Sequence, residues 1–155
     1  PVSRTAIAGA ERSLGRRFPP AYVEFVTRNG TFTISGSLTG RGEGNDTVLL
    51  DPEGAARATA EYRKRLAKSR DTASQAILAD GLLFCADPRG EFFHLFVLSS
   101  ANAQGEMKTR SYDYQDPGNN DGHVPGGGPG AGSFASVIAD IAAVVRARAL
   151  DGQGD

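Results

Sequence analysis

Few side chains in this chain of 155 residues are equipped for chemistry. The single cysteine, Cys85, sits in the apolar run LLFCA, where a small buried hydrophobe fits better than a nucleophile. His94 lies in FFHLFVL, a strand pattern that makes it a core or rim histidine with its ring hydrogen-bonded; the alternative is a catalytic base. His123 falls in a Gly-rich stretch with no rigid element to orient it. Two histidines this far apart, without an HxH or HxxxH pair, make a poor metal site, and one cysteine excludes a Cys-based zinc site. The run from Gly126 to Gly132 invites comparison with a phosphate loop, yet it lacks the GK[ST] ending and follows no clear strand. Asp113 and Asp116 are a carboxylate pair that the sequence assigns to no defined pocket. No enzyme, cofactor or metal is expected.

The elements that would position these groups can be read from spacing and caps. Ile7, Ala10, Glu11 and Leu14 fall at helical spacing over 3–15, with Gly15 at the C-terminal cap. Phe18-Pro19-Pro20 breaks the chain, and Pro20 suits the first position of a second helix that ends at Asn29-Gly30. Short strands are expected at 31–35 and 47–50, separated by a Gly-rich loop over 36–46. Asp51-Pro52 starts a helix to about 68 whose Ala-rich apolar face is weak, so only light packing is expected of it. Apolar runs at 82–86 and 91–98 flank Asp87-Pro88-Arg89-Gly90, the preferred chemistry of a type I turn. The second run is apolar on both faces and belongs mid-sheet. A third strand is expected at 107–114, a Gly-rich loop over 115–132, and a last helix from an N-cap at Ser133 to about Leu150. The order gives an α+β fold in one domain over 1–150, with a frayed tail at 151–155.

Length and charge narrow the class. One core suffices at this size, since folding hides roughly 68–70% of the unfolded surface. Net charge is −1 and the isoelectric point is near 6.2, against the basic field that nucleic-acid or anionic-membrane binders need. No run approaches the ~18 apolar residues of a membrane span, and charges interrupt the N-terminal stretch where a signal peptide needs its apolar segment. A cytoplasmic protein is expected. The abundance of Arg over Lys, with much Ala and Gly, hints at a GC-rich bacterial genome. Basic residues crowd 1–28, whereas 81–123 is acidic and carries Tyr112 and Tyr114. Tyrosine beside exposed carboxylates suits a protein-binding surface. A charged, solvated sheet edge is the other reading of the same residues.

One string is recognisable: Ile7, Glu11, Leu14-Gly15, Phe18-Pro19, Tyr22, Phe25 and Asn29-Gly30. It resembles the opening signature of the SUKH superfamily, the family of the yeast cell-wall-assembly regulator. A central block over 77–98, with Asp87 and Gly90-Glu91 at its turn, and a closing Ser133-Phe134-x-x-Val137 follow in the family's order. Glu91 stands where family members usually carry Asp. The resemblance implies a strongly twisted, mainly antiparallel sheet with N-terminal helices and a C-terminal helix packed on it. It also implies an immunity protein that binds and neutralises a cognate secreted toxin domain, or else a regulatory or scaffold module of the same fold. Asp87, Glu91, Tyr112, Asp113, Tyr114 and Asp116 are the expected partner-binding residues, their charge suited to a basic cleft.

Overall fold

The computed structural model describes residues 1–35, 46–68, 70–90, 92–113 and 132–151. Its order is α1 (Arg4–Leu14), α2 (Pro20–Asn29), β1 (Thr33–Ile34), β2 (Thr47–Leu49), α3 (Pro52–Leu66) and α4 (Thr72–Ala79). Then come β3 (Gly81–Ala86), β4 (Phe92–Val97), a 3-10 turn (Leu98–Ser100), β5 (Lys108–Asp113), β6 (Gly132–Ser133) and α5 (Phe134–Asp151). All six strands pair antiparallel in the order β1-β2-β3-β4-β5-β6. The fold is α+β, as the order of elements required.

Local chemistry sets the boundaries. Ser3 Oγ accepts from Ala6 N–H at 3.2 Å, and Gly15 closes α1 at φ +64°, where an L side chain would be strained. Pro19-Pro20 starts α2, and Gly30 N–H closes it on Val26 O at 3.0 Å. Asp51 caps α3 by accepting from Gly54 N–H at 2.6 Å. Gly90 N–H donates to Asp87 O at 3.0 Å, the hydrogen bond of the expected turn. Ser133 Oγ accepts from Ser136 N–H at 3.1 Å and caps α5.

Two departures stand out. The helix α4 was not foreseen: eight residues with little polar contrast left no clear stripe, although Asp71 and Ser74 spell its cap, with Ser74 N–H 3.1 Å from Asp71 Oδ1. Nor is α3 lightly packed. Its small residues let it lie close on the sheet: Ala55 and Thr59 are fully buried, and Leu83 N–H donates to Thr59 Oγ1 at 3.0 Å. Small size, read as weakness, is what permits the approach.

That contact serves the central strands. The register of β3 on β4 shifts between Leu83 and Cys85, so Phe84 is an inserted residue. Phe84 and Cys85 consequently join Leu82 and Phe96 in one cluster with Tyr22, Val26 and Phe134. Leu83, Phe93, Leu95, Val97 and Tyr112 form the other, under Leu66, Ile77 and Leu78 of α3 and α4. Covered on both faces, β4 is the central strand that its apolar run required. Arg63 ties the second layer together, donating to Leu78 O at 3.1 Å and Gly81 O at 2.8 Å across the end of α4.

Candidate partner-binding surface

The turn between β3 and β4 meets the far half of α3 in an open pocket of about 310 Å³. From the helix come Glu61, Tyr62 and Arg65, and from the turn Asp87, Arg89 and Gly90. Tyr62 Oη donates to Gly90 O at 3.0 Å, and its ring packs on Phe93 with centroids 4.9 Å apart. Burial raises the Tyr62 hydroxyl, Arg65 pulls it back, and Asp87 and Glu61 add to the rise. Gly90 has φ +68°, and a Cβ there would meet Tyr62 Oη at 1.7 Å. The glycine is therefore required twice over, by its backbone and by its neighbour.

Three of the expected contact residues lie within the described chain. Asp113 ends β5, half-buried, opposite Phe92. Asp87 flanks Phe92 on the other side, since Asp87 N–H donates to Phe92 O at 3.0 Å. The two carboxylates thus mark one end of the sheet. Asp87 is only 7% exposed, however, and its Oδ1 accepts from Phe92 N–H at 3.3 Å, so it holds the turn before it meets a partner. Tyr112 does not belong on the surface at all. At 1% exposed it stacks on Phe93 at 4.8 Å, and its hydroxyl pairs with Ser74 Oγ, which donates to Asp71. Strand parity explains this: Tyr112 sits opposite Phe93, on the face that α4 covers. Glu91, Tyr114 and Asp116 lie outside the described residues, as do His123 and most of the Gly-rich stretches at 36–46 and 115–132.

The acidity of this end is also reduced. Arg65 and Arg89 enter the pocket beside Asp87, and Glu106, which lies beyond the opposite end of β5, accepts from Ala21 N–H at 2.9 Å and caps α2. Light packing, the expectation for α3, gives no reason to single out Glu61, Tyr62 and Arg65. Their i, i+1, i+4 spacing on one helix face was the available signal.

Burial shifts both Cys85 and His94. Burial pushes the Cys85 thiol up to about 12, whereas a nucleophilic cysteine needs its value lowered. His94, its cross-strand neighbour, is lowered to about 4 by burial, with Asp140 of α5 pulling the other way. Among the described residues no hydrogen bond reaches its ring, contrary to expectation. Phe84 stacks on it at 6.0 Å and Phe92 meets it edge-on at 5.2 Å. A neutral imidazole beside a protonated thiol is the reverse of a thiolate–imidazolium pair. Among the described residues no cluster of His, Cys, Asp or Glu could hold a metal ion, and no helix is long and apolar enough to cross a membrane.

Among known families, the SMI1 / KNR4 family (SUKH-1) matches residues 1–122. The chain belongs to the SUKH-1 family. No curated protein and no solved structure matches it. The SUKH signature maps onto groups that build the fold. Glu11 accepts from Phe18 N–H at 3.0 Å across the elbow, and Tyr22 donates to Leu50 O at 2.6 Å from full burial. Phe134 of the closing helix meets Tyr22, Phe25 and Phe84 edge-on at 5.5–5.7 Å.

Proposed function

We propose that this SUKH-1 chain is an immunity protein: a non-enzymatic, cytoplasmic bacterial domain that binds one secreted toxin domain and neutralises it by occluding its active site. Family membership carries the reading, since SUKH members are known as protein-binding immunity modules. The raised Cys85 thiol and the lowered His94 imidazole support it, since neither is shifted toward a nucleophile or base poised near neutral pH. The contact surface we favour is the sheet end marked by Asp87 and Asp113, with Glu91, Tyr114 and Asp116 adjoining in sequence.

The test is affinity capture of the tagged chain from its own cells, read by mass spectrometry. One polypeptide at near-equal stoichiometry, surviving stringent washes, is the expected result. The charge reversals Asp113→Lys and Asp116→Lys should then weaken its binding most at low salt. Unchanged binding at both low and high salt would remove this surface from the proposal. A collection of weak partners with no toxin among them would replace it with a regulatory or scaffold module.

A further inference from the structure

The turn between β3 and β4 is buried at its base and exposed at its tip. Asp87 and Gly90 are buried, whereas Pro88 and Arg89 are exposed. A partner seated on this end of the sheet therefore meets the tip. We propose that Tyr62 is a positioning residue of the contact surface: its hydroxyl clamps the Asp87–Gly90 turn, so that Pro88 and Arg89 are presented already ordered. The partner half of this inference rests on the immunity reading; the clamp itself does not.

The hairpin supplies part of the order. Asp87 N–H donates to Phe92 O at 3.0 Å, Phe92 N–H donates to Asp87 Oδ1 at 3.3 Å, and Gly90 N–H donates to Asp87 O at 3.0 Å. All three bonds lie within the hairpin and move with it. Tyr62 adds a tie from outside, donating to Gly90 O at 3.0 Å from a helix 28 positions earlier. The donor is itself held. Its ring packs on Phe93 at 4.9 Å, and α3 is pinned to β3 where Leu83 N–H donates to Thr59 Oγ1 at 3.0 Å. Tyrosine has two side-chain torsions, so packing the ring places the hydroxyl at little further entropic cost.

The contact is close as well as polar. A Cβ on Gly90 would lie 1.7 Å from Tyr62 Oη and 3.0 Å from Cζ, so the hydroxyl sits directly against the turn's backbone. Core packing asks only for the ring. The hydroxyl on Gly90 serves the turn. Such order matters to a binder, because a surface that is only partly in its binding conformation loses affinity by that fraction.

The experiment compares the parent with two variants. Tyr62→Phe keeps the ring and removes the hydroxyl; Thr59→Val weakens the fold through the same helix and leaves the clamp in place. Amide exchange of the 15N-labelled free chain is the first readout. Tyr62→Phe should speed exchange of the Gly90 amide about three- to tenfold, and Thr59→Val should leave it unchanged. Binding to the polypeptide recovered by affinity capture is the second. Tyr62→Phe should weaken it about three- to tenfold, while Thr59→Val should not, although it lowers thermal unfolding more. Unaltered Gly90 exchange in Tyr62→Phe, or equal acceleration in Thr59→Val, would overturn the clamp. Faster exchange with unaltered affinity would overturn the turn's part in binding. If capture yields no single polypeptide, the immunity reading falls and the partner role of Tyr62 with it, whereas Gly90 exchange still decides the clamp.

Discussion

Lowering the pH from about 7.5 to about 5.0 should cost this fold about 2 kcal/mol through His94 alone. The ring lies between Phe84 and Phe92, and burial holds it near pH 4, against 6.5 for the same group in water. The folded value is depressed, so the fold favours the neutral imidazole. That contribution is complete above pH 6.5 and is lost as pH falls from 6.5 toward 4. Over this window the unfolded chain takes up the proton and the folded chain refuses it, and at pH 5 the difference corresponds to roughly 2 kcal/mol. Asp140 opposes the shift, so Asp140→Asn should enlarge the effect. The assay is urea unfolding at several pH values for the parent and for His94→Gln. Because His123 is common to both proteins, the difference in slope isolates His94. The stability of the parent should fall faster with acid by about 2 kcal/mol in total, and the His94 ring proton should shift in NMR only below about pH 5. Parallel curves, or a ring that titrates near 6.5, would refute the argument that burial governs this histidine. Asp71, also lowered, by its hydrogen bonds to Ser74, loses its contribution only at still lower pH, below its ordinary carboxylate value of 3.8.

Two further outcomes test the packing around α3. Gly90→Ala should cost roughly 1–3 kcal/mol, from strain at φ +68° and the clash with Tyr62. In thermal unfolding, the pair with Tyr62→Ala should be more stable than the sum of the single changes predicts, because only the clash is relieved. Thr59→Val should cost about 1–3 kcal/mol by leaving the Leu83 N–H at the bulge without its acceptor. Thr59→Ser keeps the hydroxyl and should cost less in urea unfolding. A larger cost for Thr59→Ser than for Thr59→Val would show that the methyl group, not the hydrogen bond, matters there.

A residue that acts through its own backbone neighbours is legible in the sequence. Gly15, Pro20, Asp51, the Asp87–Gly90 turn and the Ser133 cap each signal an element boundary by local chemistry, and each appears at its expected place. The SUKH signature was legible for the same reason: Glu11, Phe18 and Tyr22 define one elbow and the core beneath it. What failed depended on partners distant in sequence. Whether Tyr112 faces inward depends on its register with Phe93 and on α4, a helix whose stripe was too short to see. Whether Glu106 is surface acidity or a cap depends on α2, 85 positions away. The alanines of α3 form a weak face by hydrophobicity, yet their small size lets Ala55 and Ala56 bury against their neighbours. A binding surface is made of such distant relations, so composition located the charge of this chain better than it located the side chains free to use it.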